Sequence, residues 1–184
     1  MAYYVLGQNR LETGARITMD SLPEDWYSSK GPISISLYDP KKVGDMEHEF
    51  GSNSYGDIID GSCSIYSDRL CEALKAFAID ANYKPVHLFE TNGEVPVKGY
   101  NMVLGVPDAG RKCFISATNE LENFTLDASK VTGLSLFDLD GSYCGLRVID
   151  QKLKDYLETI ELQNVSIVAT LDYGKDLVML HMYG

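Results

Sequence analysis

Asp57-Ile-Ile-Asp-Gly-Ser-Cys-Ser-Ile-Tyr-Ser67-Asp-Arg-Leu-Cys-Glu-Ala-Leu-Lys-Ala-Phe-Ala-Ile79 reads as a short strand running into a capped helix. Ser67 is the expected N-cap, because its hydroxyl can accept a bond from a free N–H of the first turn. Leu70, Leu74 and Phe77 recur at i, i+4 and i+7, the stripe of a helix with one apolar face. The stretch 145–169 repeats this grammar, with Asp150 at the cap and Leu153, Leu157 and Ile160 in the stripe, all four pairs offset by 83 residues. A strand-like run follows each helix: Val86-His-Leu-Phe89 after a longer connection, Val165-Ser-Ile-Val168 after a shorter one. The echo suggests a duplicated unit, although any two such helices of equal length align in this way. Neither block carries catalytic machinery, so both point to scaffold and surface before chemistry.

Working outward, residues 2–6 are aromatic and β-branched, a strand by type, and Ile17 and Met19 mark a second short one. Residues 20–56 are punctuated by Gly, Ser, Asp and Pro, with one alternating segment, Ile33, Ile35 and Leu37. Trp26 and Tyr27 are expected to anchor this excursion on the core; its length makes it either functional or draped over the body. Tyr100–Val106 and Cys113–Ala117 flank the turn residues Pro107–Gly110, which predicts a hairpin. Phe124 to Phe137 reads as one or two further strands, Leu146–Ile149 leads into the second helix, and a turn at Asp172–Lys175 leads to a C-terminal hairpin ending near Met182. Two amphipathic helices and about ten strands make an α+β chain with a mixed or mainly antiparallel sheet. The expected organisation is a single domain over 1–184, with two halves, 1–95 and 96–184, as the alternative.

With 184 residues, 45% of them hydrophobic, the chain can build a substantial core. No apolar run reaches the roughly 20 residues a membrane helix needs. The opening Met-Ala-Tyr-Tyr-Val-Leu has no basic leader or apolar h-region, so a cytoplasmic protein is expected. Cys63, Cys71, Cys113 and Cys144 show no Cys-x-x-Cys spacing and read as reduced core thiols. The net charge of −11 makes nucleic acid a poor partner. A basic protein suits it better, since opposite fields speed association; the plain alternative is that acidity only keeps the chain soluble.

Phe137-Asp-Leu-Asp-Gly-Ser142 looks like the first motif of haloacid-dehalogenase-type phosphatases. That chemistry needs a downstream lysine and a downstream acidic pair, and the residues after Ser142 contain no adjacent acidic pair. An EF-hand fails too, with glycine at the wrong position and no closing glutamate. His48, His87 and His181 lack partners at metal spacing, and no phosphate-binding loop or nucleophile elbow occurs. No catalytic, metal or cofactor residue is therefore nominated. The acids gather in two places, Glu47 and Glu49 with Asp57 and Asp60 behind them, and Asp138 with Asp140. These six are the candidate partner-binding residues; solvated loops are the bland explanation.

The order of features resembles a family of bacterial immunity proteins from polymorphic toxin systems. The resemblance rests on Tyr3-Tyr-Val-Leu6, the long excursion ending in Asp57-Ile-Ile, the Ser67–Leu70 helix start, and the Tyr100–Val106 strand leading to one at Cys113. The Ile149–Leu153 helix start, where Asp150 replaces the serine usual in the family, and the Asn164–Ile167 strand complete it. It implies a non-enzymatic cytosolic protein that binds and neutralises one cognate toxin. The competing expectations are a small-molecule-binding or enzymatic α+β domain, with a deep polar pocket, and a homo-oligomer that pairs exposed strands.

Overall fold

Ser67 and Asp150 each cap a helix. The structure, a computed structural model, describes residues 2–9, 17, 21–37, 55–61, 63–77, 79, 81–90, 97–114, 121–140, 146–170 and 172. Ser67 precedes α1 (Asp68–Ala76), and its Oγ accepts the Leu70 N–H at 3.1 Å. Asp150 precedes α3 (Gln151–Leu157), and its Oδ1 accepts the Leu153 N–H at 2.8 Å. α1 buries Leu70, Cys71, Ala73 and Leu74, and α3 buries Leu153 and Leu157. Each buried leucine contributes about 1.5–3 kcal/mol.

Two sheets carry these helices. The first runs β2 (Ile33–Leu37), β5 (Asn82–Glu90), β6 (Val97–Leu104), β4 (Ile65–Ser67), β3 (Ile58–Ile59). The second runs β11 (Val165–Ala169), β1 (Tyr3–Gln8), β10 (Arg147–Asp150), β9 (Leu136–Asp140), β7 (Asp108–Phe114), β8 (Leu121–Leu126). Each contains one parallel pair, β2 with β5 and β7 with β9, and is otherwise antiparallel. The fold is α+β, with two mixed sheets where one was expected.

The sheets repeat one pattern. β3–β4–α1–β5 matches β9–β10–α3–β11, and in each a further strand fills the gap between the two that flank the helix. In the first sheet that strand is β6, where Met102 lies opposite Ile65 and Lys84. In the second it is β1, where Val5 lies opposite Val148 and Val168. β6 follows its unit in the chain, whereas β1 precedes its own. Side-chain bonds repeat with their chemistry altered. Asn101 Nδ2 donates to Asp68 Oδ1 at 2.7 Å, and at the matching place Tyr4 OH donates to Gln151 Oε1 at 2.5 Å. Ser67 donates its hydroxyl to Asp57; in the second unit Ser135 donates to Asp150 at 3.0 Å, so hydroxyl and carboxylate have changed places.

Successive strand residues face opposite sides, and the side facing the helices is shared. One core joins Leu6, Ile58, Tyr66, Leu70, Leu74, Val103, Leu136, Ile149, Leu153 and Leu157, drawn from both sheets and both helices. Phe77 and Tyr156 meet across it with ring centroids 4.9 Å apart. The other faces have cores of their own, one around Ile35, Ile65, Leu88 and Met102, the other around Phe137, Leu139 and Val148. Strand pairs cross the 95/96 position of the two-halves alternative: β5 pairs with β6, and β1 with β10 and β11.

Several expectations are corrected. Among the described residues of the expected hairpin of 100–106 with 113–117, β4 and β5 occupy both edges of β6, and Cys113 and Phe114 lie in β7, which pairs with β8 and β9 in the other sheet. Between β8 and β9 stands a short helix, α2 (Ala128–Val131), where only strands were expected; Asp127 caps it through the Ser129 N–H at 3.0 Å. Ile17, the one described residue of the expected second short strand, makes an isolated bridge to Gly61. Met19 and the C-terminal hairpin lie outside the described residues.

Candidate functional site

Of the six candidate acids, three are described with their side chains, and these tie the two sheets together. Asp57 is not on the surface. It stands just ahead of β3, almost fully buried, and its carboxylate accepts from Ser67 Oγ, from Arg69 Nε at 3.2 Å and Nη2 at 2.5 Å, and from the Gln163 N–H at 2.7 Å. Its own N–H donates to the Gln163 carbonyl at 2.8 Å. Gln163 precedes β11, so this exchange links the start of β3 to the opposite sheet. Burial alone would raise the Asp57 pKa; the bonds from Arg69, Ser67 and Gln163 outweigh it and hold the carboxyl below its ordinary value. Beside it Asn164, at φ 57°, donates Nδ2 to the carbonyls of Tyr55 and Ile58, both at 3.2 Å.

Asp60 reaches β1: its Oδ2 accepts the Gln8 N–H at 2.7 Å, and its N–H donates to Gln8 Oε1 at 2.9 Å. Asp138, on β9, accepts from Arg147 Nε at 3.1 Å, and Arg147 Nη2 donates to the Val103 carbonyl on β6. Arg147 is buried in the shared core, its guanidinium carbon 5.1 Å from the Tyr66 ring centroid. Burial works against its charge, while Tyr66 and Asp138 sustain it; burial likewise pushes the Tyr66 hydroxyl well above its usual range. Asp138 thus sits in a part-buried ion pair with Arg147. Asp140 ends β9 with only its backbone described, and Glu47 and Glu49 lie outside the described residues.

In the loop 21–31 the expected aromatic anchor holds for Trp26 and fails for Tyr27. Trp26 is half-buried and packs with Leu22 against the core of the first sheet. Tyr27 does not anchor the loop: it is 68% exposed, the only exposed large hydrophobic side chain among the described residues. Its ring meets Trp26 edge-on, centroids 5.6 Å apart and planes at 87°. Consecutive turns shape the backbone, with Trp26 N–H bonded to the Pro23 carbonyl at 3.0 Å and Ser29 N–H to the Asp25 carbonyl at 2.8 Å. From below, Lys84 Nζ donates to the carbonyls of Trp26 at 2.7 Å and Ser29 at 2.5 Å. Lys84 is only 5% exposed. The signal for it was present in the sequence, since Lys84, Val86 and Leu88 alternate onto one face of β5.

Among the described residues no group of three or more His, Cys, Asp or Glu side chains is placed to hold a metal ion, and no helix is long and apolar enough to cross a membrane. Cys63 and Cys71 are buried free thiols, and burial pushes Cys71 up to about 12. His87 is half-buried on β5 opposite Ser34. No protein-family model matches the chain, and no curated protein matches it.

Proposed function

We propose that this chain is a non-enzymatic immunity protein that binds and neutralises a cognate antibacterial toxin in the cytosol, and that the toxin presents a basic surface. The observation that carries this reading is the charge of the exposed shell. Among the described residues with exposed side chains, nine are Asp or Glu and five are Lys or Arg. Arg69, Lys75 and Lys130 of those five are in ion pairs with acids of the same chain, and Lys84 and Arg147 are drawn inside. The outward field is therefore acidic, as the net charge of −11 requires. Such a field attracts a cationic protein and repels nucleic acid. The resemblance in the Tyr3–Leu6, Ser67–Leu70 and Ile149–Leu153 motifs supports the same reading.

Co-expressing the tagged chain with the product of the adjoining open reading frame tests it. A stable 1:1 complex that weakens with salt, together with rescue of cells from that product, is the expected result. A product that kills equally well with and without the chain, and never co-purifies, refutes the proposal.

A further inference from the structure

The Tyr27 loop is a knob tied from beneath by Lys84. A lysine buried beneath a loop gives up its hydration; here it gains two carbonyls, and among the described residues no carboxylate is paired with it. Those two carbonyls belong to Trp26 and Ser29, on either side of Tyr27, so the ammonium fixes the backbone that carries the ring. Trp26 fixes its orientation from the side. The outcome is a large aromatic side chain exposed to water on a backbone tied down from beneath. Tyrosine presented in this way loses little further freedom when a partner covers it, and buried tyrosine is among the commonest anchors of protein interfaces.

We propose that this knob is the docking element of the chain, and that it enters a concave, cation-lined site on a basic protein. The proposal rests on the binding role given above. Charge selects the occupant. Glu24 and Asp25 lead into Tyr27 and are exposed, with Lys30 at the trailing end of the loop. Two exposed carboxylates two and three residues ahead of an exposed aromatic ring suit lysine or arginine side chains, which can pair with the acids and lie over the ring. The same carboxylates disfavour phosphate backbones and anionic lipid headgroups.

The experiment uses the full chain and, as probe, the purified product of the adjoining open reading frame, with affinity and rates measured by surface plasmon resonance. Tyr27→Ala is expected to raise Kd at least about tenfold, chiefly through faster dissociation, while Tyr27→Phe stays within about threefold of wild type. The pair Glu24→Lys with Asp25→Lys is expected to slow association at least about tenfold at low salt, and less at high salt. Circular dichroism melting confirms that each variant is folded, which the exposure of all three side chains leads one to expect. A wild-type complex that Tyr27→Ala weakens by less than tenfold overturns the knob as docking element and leaves the binding role standing. Absence of any complex with the wild type overturns both.

Discussion

Replacing Asp57 with asparagine tests whether the junction between the sheets is held by charge. The carboxylate is 4% exposed and its partner Arg69 46% exposed, so the ion pair itself is half in water and worth up to about 1 kcal/mol. The larger loss is elsewhere. Asparagine keeps one acceptor oxygen and turns an NH2 either toward the Arg69 guanidinium and the Gln163 N–H, which can only donate, or toward Arg69 and Ser67 Oγ, which already accepts the Leu70 N–H. A buried donor left without an acceptor costs about 1–3 kcal/mol. The two losses together come to about 3 kcal/mol, or a fall in Tm of about 6–12 °C for a chain of this size. Amide exchange should quicken at Gln163 and Ser67 before it does at Ile149. The pH dependence has a definite sign. Asp57 titrates lower in the folded chain than its unfolded value of about 3.9. Its contribution is complete above that value and is lost as pH falls through the folded pKa. The gap between wild type and Asp57→Asn should therefore hold steady from pH 7 to 5 and shrink below about pH 4. A variant within about 1 kcal/mol of wild type at pH 7, or a gap that widens on acidification, would refute the argument.

Arg147→Met removes the guanidinium from the Asp138 carboxylate, which is 17% exposed, and should cost up to about 3 kcal/mol in urea unfolding. Adding Asp138→Asn should recover at least about 1 kcal/mol, and strict additivity of the two would contradict the pairing. Leu74→Asp and Leu157→Asp place a charge at matching positions of the shared core; both should abolish soluble folded protein, checked by yield and circular dichroism. Gly56→Ala demands a Cβ 2.3 Å from Asn164 Cβ at φ 79°, and should destabilise by about 2 kcal/mol or more, whereas Gly31→Ala meets nothing within 4 Å and should be neutral in thermal melts. Cys63 and Cys71 should resist a thiol reagent in native buffer at pH 8 and react on unfolding; prompt native labelling of either would contradict their burial.

The helices α1 and α3 and their caps were legible, though α2 was not, because capping and a 3.6-residue stripe are local: Ser67 and Asp150 need only the N–H three residues ahead. The α+β class, and the likeness of the stretches around Ser67 and Asp150, follow from the same short-range grammar. Strand partners were not legible. Whether β7 pairs with β6 depends on which edges β4 and β5 have already taken, and these pairings span distances the local pattern does not encode. The acids show the same limit. Asp57 and Asp138 read as surface because a carboxylate is buried only when donors meet it, and theirs come from Gln163, 106 residues away, and from Arg147 on the neighbouring strand. Trp26 and Tyr27 are adjacent and chemically alike, and sequence gives no ground for sending one inward and the other out. The tertiary structure decides it, because Lys84 beneath the loop fixes the backbone that turns Trp26 onto the core and leaves Tyr27 in water.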